Sequence, residues 1–273
     1  MDSTKSPTSA PTTPAFLLLL SGLSSSGKTT ISRHLRSLIP GSFILHEDDF
    51  FLADSKIPVT ETGLEDWDCP EAINWEDFGR VLKYVKEHGK VPGDFKSTQT
   101  DAEEVGKEKK EVVDDQDGNG KKGLVGEEVL EELRERVKQA GLGRKKVVIV
   151  EGFLMFQEES VVEQEADAKM LLRVDYETAK KRRENRGYLT IEGYWQDPPG
   201  YFDDIVWPNY VKAHEHLFEN RQVDQELTEE AKTKRRIHMP PPGNMEETLR
   251  WAVGVLVEEY KRWEKRLDTK AES

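Results

Sequence analysis

Cysteine is nearly absent: Cys69 stands alone among 273 residues. That excludes an internal disulfide and a cysteine-built zinc site, and it predicts a reducing compartment, the cytoplasm. Long apolar runs are missing too. The longest, Ala15 to Leu20, has six residues, far short of the roughly 20 that a membrane-spanning helix needs. It follows a Ser/Thr/Pro tract and not a basic one, so no secretory signal is read. Positive charge is in deficit, with 40 Lys and Arg against 53 Asp and Glu, a net of −13. A chain this acidic repels phosphate backbones, which argues against general nucleic-acid binding. Apolar residues make up only 36%, which implies polar segments attached to an ordinary core. No feature names a protein partner.

What is present is an alternation of strands and helices. Residues 1–14 are Ser, Thr and Pro with little to bury and read as a flexible tail. Phe16 to Leu20 is a fully apolar strand of the kind buried on both faces of a parallel sheet. A Gly/Ser turn leads to a helix over Thr29 to Leu38, and Pro40-Gly41 ends it. A strand over Ser42 to His46 runs into Glu47-Asp48-Asp49. A helix follows over Trp75 to His88, with Phe78, Val81, Leu82 and Val85 on one face. From about 94 to 143 Lys, Glu, Asp and Gly dominate, as in an inserted, largely mobile segment, with Leu130, Leu133 and Val137 marking a short helix near its end. Apolar strands return over Lys145 to Val150 and Met170 to Val174. A basic helix starts near Tyr176, another helix covers Tyr210 to Leu217, a short strand lies around Ile237, and an amphipathic helix runs from Met245 to Trp263. The pattern predicts an α/β fold: one domain over 15–267, a central parallel sheet with helices on both faces, a lid over about 176–207 and a tail over 268–273.

Gly22, Leu23, Ser24, Ser25, Ser26, Gly27, Lys28 and Thr29 match G-x-x-x-x-G-K-[ST], and they sit between a buried strand and a helix, the context that motif requires. Glycines let the backbone wrap closely enough for consecutive N–H groups to face phosphate oxygens, and the helix adds its positive end. Lys28 reaches the β- and γ-phosphates, and the Thr29 hydroxyl is placed to ligate Mg²⁺. A second glycine pattern, Gly118 to Gly123, fits G-x-G-x-x-G but has no strand before it and is discounted.

The loop alone does not separate kinases from GTPases or motor ATPases. A guanine-specific N-K-x-D is absent from the chain, which removes most of the GTPase reading. Asp48 and Asp49 follow the second strand, and Glu151 follows Val147 to Val150. Ligands of open α/β sheets bind beyond the carboxyl ends of the strands, so these acids share a rim with the phosphate loop. Phosphoryl transfer needs that grouping, to hold Mg²⁺ and to accept a hydroxyl proton. The plainer alternative is that such carboxylates cap the next helix. In the basic helix, Arg182, Arg183 and Arg186 fan over one side at about 100° per residue. They suit ATP phosphates and an acceptor, with a solvated charged face as the alternative.

With these blocks in order, the chain resembles the nicotinamide riboside kinases, a branch of the uridine-kinase-like P-loop nucleoside kinases. The match is carried by GLSSSGKTT (22–30), HEDDFF (46–51), Trp67-Asp68 within DWDCPEAINW, VVIVEGFLMF (147–156), and YETAKKRRENRGY (176–188) running on to PPGYFDDIVWPNY (198–210). The resemblance implies ATP on residues 22–30, Thr30 included, with Arg182 and Arg186 clamping its phosphates. It implies Asp48 as the base on a riboside 5′-hydroxyl and, with Thr29, as a Mg²⁺ ligand. Glu151 is implied to be essential through the metal or its waters, and Lys28 to be catalytic. Asp49, Phe50 and Phe51 would line the acceptor site, Trp67 would stack on the pyridine ring, Asp68 would bind ribose hydroxyls, and Arg183 would reach the acceptor. Tyr188 would close the other side of the base, with Tyr194, Trp195 and Tyr201 as alternatives because Leu189 to Trp195 is extra lid sequence. An indole face is the best side-chain partner for a pyridinium cation, which fits Trp67 independently. Core packing is the alternative for that ring. Two other readings stay open: a uridine or cytidine kinase of the same fold, and a non-catalytic nucleotide-binding regulator.

Overall fold

The computed structural model describes residues 14–97, 124–158, 160–185, 188–190 and 193–271, of which 188–190, 193–195 and 270–271 are described by backbone alone. The first thirteen residues, most of the first half of the charged stretch, the Gly118 to Gly123 pattern and Arg186 lie outside the described residues. In chain order the elements are β1 (Phe16–Gly22), α1 (Lys28–Leu38), β2 (Phe43–His46), α2 (Trp75–His88), α3 (Glu127–Gln139), β3 (Val147–Gly152), β4 (Ala168–Leu172), α4 (Tyr176–Glu184), β5 (Tyr188–Thr190), β6 (Gly193–Trp195), α5 (Trp207–His214), β7 (Ile237–His238) and α6 (Met245–Ala271).

Five strands form one sheet in the order β2-β3-β1-β4-β7, and every pairing is parallel. Side chains alternate across a strand, and here each face meets a helical layer. Phe16, Leu18, Leu20, Val147 and Ile149 pack against Ile31 and Leu35 of α1, Leu133 and Val137 of α3, and Leu249, Val253 and Leu256 of α6. Leu17, Leu19, Val148 and Val150 pack on the other side against Phe78, Val81, Leu82 and Val85 of α2 and Tyr210 of α5. The continuous apolar runs of β1 and β3 follow from this, since both of their faces are covered. Local signals set the helix ends. The Asn74 side chain accepts the Asp77 N–H at 3.1 Å to start α2, which stops at Gly89 with φ 65°. Asp175 accepts the Thr178 N–H at 2.9 Å to start α4.

Several elements differ from expectation for identifiable reasons. The strand placed at Met170 to Val174 begins at Ala168, because Lys169 leaves the apolar run by reaching Glu163 at 3.1 Å and the Arg235 carbonyl at 2.8 Å. The strand placed at Lys145 to Val150 runs through Glu151 and Gly152, which stay in register with Leu20 and Ser21 of β1. The latter part of the stretch read as an insertion supplies α3, whose Val129, Leu133 and Val137 are buried in the core. Helix α6 continues to Ala271, through most of the expected tail. The helix placed at Tyr210 to Leu217 begins at Trp207, after a wide turn over Phe202–Val206, and its last residues form a tighter turn over Glu215–Leu217. The extra lid sequence forms an antiparallel hairpin of β5 and β6. Among the described residues, no helix is long and apolar enough to cross a membrane.

Candidate active site

The strand order puts three turns side by side: the loop after β1, the acidic turn after β2 and the turn after β3. In the first, Gly22 has φ 148° and a Cβ there would overlap the Leu172 carbonyl, so only glycine lets β1 turn this close to β4. Ser25 (φ 63°) and Gly27 (φ 95°) complete the left-handed bends that curl the loop into a cradle. Lys28, at the head of α1, donates to the carbonyls of Gly22 (2.8 Å) and Leu23 (3.0 Å), which holds its ammonium over the loop. The buried hydroxyl oxygens of Ser25 and Ser26 have no protein partner. Such orphaned groups beside an ammonium and a helix N-terminus fit a phosphate chain. Thr30 lies in the first turn of α1, and Arg182 of α4 reaches across to donate to the Ser25 carbonyl at 3.3 Å.

The floor of the rim is Glu151. Its Oε1 accepts from Thr29 Oγ1 at 3.2 Å and pairs with His46 Nδ1 at 2.9 Å, while Oε2 accepts from Ser32 Oγ. Burial pushes this carboxyl up, but the His46 hydrogen bond and charge, Ser32 and the Lys28 ammonium outweigh it and hold the group below its ordinary range. In the same way burial lowers His46, and the bond to Glu151 with the charges of Glu151, Asp49 and Asp48 overcomes it, so the imidazole is raised. Asp48 follows β2 in a short turn and is solvent-exposed. Asp49 accepts from Ser97 Oγ on both carboxylate oxygens, at 2.9 and 2.8 Å. Between these acids and β3 lies Glu47, fully buried, with Oε2 accepting the N–H groups of Phe153 and Leu154 and Oε1 unpartnered. Burial dominates there and pushes its carboxyl up to about 8. A Cβ on Gly152 would strike this same side chain.

On the acceptor side the phenylalanine pair separates. Phe51 packs edge-on against Trp67 (5.4 Å between centroids) and tilted against Phe153 (6.1 Å), which makes an aromatic wall. Phe50 does not line the site; it is 2% exposed and stacks on Phe78 at 4.4 Å inside the core. The tight helical turn over Glu47–Phe50 sends neighbouring rings in different directions. Trp67 donates its indole N–H to Glu65 at 3.0 Å. Beside it, buried Asp68 takes Arg183 on both oxygens, at 3.3 and 3.1 Å. Burial raises the Asp68 carboxyl, with Arg183 opposing. Arg183 is itself 8% exposed and also donates to Ser24 Oγ (2.7 Å) and to both oxygens of Asp197 (2.6 and 3.4 Å). One guanidinium thus joins the phosphate loop, the acceptor loop and the lid. Tyr201 lies beneath it, with Cζ 5.9 Å from the ring centroid. Its hydroxyl accepts the Trp67 N–H and donates to the Glu65 carbonyl, both at 3.1 Å. At 2% exposure, Tyr201 supports the Trp67 loop from behind and is not the ring that covers a base. Tyr188 lies on β5 and its side chain falls outside the described residues, as do those of Tyr194 and Trp195.

Comparison with known proteins adds to this geometry. No family profile matches the chain. The nicotinamide riboside kinase of Schizosaccharomyces pombe is 34% identical over 254 residues, covering 90% of this chain and 98% of the relative. The chain belongs to the nicotinamide riboside kinase family. The Saccharomyces cerevisiae member is 36% identical over 77% of this chain and 81% of its own length. Nicotinamide riboside kinase 1 of Homo sapiens is 27% identical over 74% and 78%. A solved structure titled as a possible uridine kinase from Bacillus stearothermophilus aligns at 16% identity over 81% of this chain and 92% of its own, with a TM-score of 0.39, too low to add to the topology above. The chain is accordingly a phosphotransferase that acts on a hydroxyl group.

Among the described residues, no group of three or more His, Cys, Asp or Glu side chains converges to hold a metal ion unaided. Mg²⁺ keeps several waters and uses one or two protein oxygens plus substrate phosphates. The Thr29 hydroxyl, close to Glu151 and on the rim that carries Asp48, is a hard-oxygen donor set of that kind. Sequence reasoning missed His46, Ser32 and Asp197. Each matters through a partner more than 13 residues away, and only the position of His46 next to the acidic turn offered a signal.

Proposed function

We propose that this chain transfers the γ-phosphoryl group of ATP to the 5′-hydroxyl of nicotinamide riboside, giving nicotinamide mononucleotide, a step of NAD biosynthesis. The observation that carries the reading is the meeting of Thr29 and Glu151 at 3.2 Å, which joins the phosphate loop to the acidic strand ends. The names of the fungal relatives support the same acceptor. Residues 22–30 wrap the triphosphate, Lys28 neutralises charge on its outer phosphates, and Arg182 and Arg186 close over it from the lid. Thr29 and Asp48 would hold Mg²⁺, with Glu151 acting through its waters; the bound ion neutralises charge on the transferring group. Asp48, exposed on the rim, takes the proton of the 5′-hydroxyl. Phe51 and Trp67 supply the wall for the base, Asp68 accepts ribose hydroxyls, and Arg183 orients that carboxylate. Tyr188 of the lid hairpin is assigned to the opposite face of the base. Asp49, next to Asp48 in the acidic turn, is assigned to the border of the acceptor site. The single cysteine, Cys69, supports a cytoplasmic location.

Single-turnover phosphorylation with nicotinamide riboside and uridine tests the reading. The expected result is preference for nicotinamide riboside and a loss of at least about 100-fold in Asp48→Asn, the scale of a missing general base. Preference for uridine, or an Asp48→Asn rate within a few-fold of the parent, overturns it.

A further inference from the structure

Residues 65–69, which carry Trp67 and Asp68, belong to none of the helices or sheets. A loop that positions a ligand is only as precise as the groups that hold it. Here they come from one helical segment far along the chain. The Tyr201 hydroxyl accepts the Trp67 N–H and donates to the Glu65 carbonyl, both at 3.1 Å. The Asn209 amide donates to both carboxylate oxygens of Asp66, at 2.8 and 2.9 Å. Asp66 Oδ1 in turn accepts the Asp68 N–H at 3.1 Å. Two routes therefore hold the backbone of Trp67 and Asp68, one through Tyr201 and one through Asp66 and Asn209.

Tyr201 and Asn209 stand eight positions apart. In an unbroken α-helix that spacing would leave their side chains about 80° apart around the axis. The wide turn over Phe202–Val206, where the Trp207 N–H reaches back to the Phe202 carbonyl, places an extra residue in one turn and takes up that offset. Both groups consequently reach the same loop. Asp66 and Asn209 are each half-buried, and a hydrogen bond to a carboxylate in such a place is stronger than one between neutral groups.

We propose that Asn209 is a positioning residue of the acceptor site: through Asp66 it sets where Asp68 and Trp67 meet the acceptor. The proposal rests on the acceptor assignment above and deepens it, since it names what orients two of the assigned groups.

Steady-state kinetics and hydrogen exchange on the full chain test it together. Asn209→Asp sets two carboxylates against each other in place of the amide. The KM for nicotinamide riboside is expected to rise by about tenfold, the scale of one hydrogen bond to a charged group, while the KM for ATP holds. Adding Asp66→Asn to Asn209→Asp restores the pair with donor and acceptor exchanged and keeps an oxygen for the Asp68 N–H. The double variant returns the riboside KM to near the parental value. Amide exchange in the peptide carrying Trp67 and Asp68, read by mass spectrometry, quickens in Asn209→Asp and recovers in the double variant. An unchanged riboside KM in Asn209→Asp, a KM for ATP that rises equally, or a double variant no better than the single one overturns the proposal. Should Asn209→Asp fail to fold, Asn209→Ala is read by the same split in KM and the same exchange. A parent that does not phosphorylate nicotinamide riboside strikes the functional reading instead. Exchange then still decides whether Asn209 holds the loop, and an unchanged rate in Asn209→Asp overturns that.

Discussion

His46 Nδ1 lies 2.9 Å from Glu151 Oε1, the same oxygen that receives the Thr29 hydroxyl. The imidazole fixes the carboxylate from below while Thr29 and Ser32 fix it from the helix side. Removing one such support from a metal-site carboxylate costs on the order of 10- to 100-fold in affinity or activity. His46→Ala is expected to raise the Mg²⁺ concentration for half-maximal rate by about that factor, and His46→Gln to recover most of it. Titration of rate against Mg²⁺ checks both.

Arg183→Lys keeps the charge and loses the fork. A lysine ammonium cannot serve Asp68, Asp197 and Ser24 together as the guanidinium does. The KM for the riboside is expected to rise by about tenfold or more, with a smaller change in the KM for ATP. Steady-state kinetics with each substrate varied in turn measures the split.

Gly22→Ala is expected to abolish ATP binding and to lower the melting temperature. The new methyl would overlap the Leu172 carbonyl at a backbone angle of φ 148°, so β1 and β4 would have to separate at the point where the phosphate loop begins. Calorimetric titration with ATP and a thermal melt check the two effects.

Acid sensitivity should come in part from His214. It is fully buried, its Nδ1 bonds the Tyr210 carbonyl at 2.9 Å, and its Nε2 has no partner. Burial first, then nearby cations, lower its pKa from 6.5 to about 4. The unfolded chain therefore binds the extra proton between those values, so stability is present above about pH 6.5 and falls as pH drops toward 4. The span corresponds to roughly 3 kcal/mol. Urea denaturation of His214→Gln at pH 7 and pH 5 should show a smaller loss than the parent.

Cys69 should be inert in the folded protein. Burial and then the Asp66 charge push its thiol up to about 12, and its Sγ donates to the Asp66 carbonyl at 3.3 Å. Thiol labelling at pH 8 is expected to be slow in buffer and complete in guanidinium.

The parts of this molecule legible in its sequence are those whose physics is local. Gly22 to Thr29 announces itself because a phosphate loop is built from consecutive residues. Helix α2 could be read from Trp75 to His88 because its apolar face repeats at helical spacing and Gly89 stops it. Strand β4 was displaced because Lys169 escapes the apolar run by contacts with residues elsewhere in the chain. Phe50 and Phe51 cannot be told apart by composition; only the turn they share decides which enters the core and which the wall. His46, Ser32 and Asp197 act on carboxylates and a guanidinium that only folding brings to them.

Glu47 and Gly152 occupy one space between two neighbouring strand ends. Neither position can drift alone. Any side chain at 152 demands a shorter residue at 47, and that replacement strips the acceptor from the Phe153 and Leu154 amides. In relatives of this chain the two sites should therefore change as a pair or hold still together, so that an alignment would show them locked in step.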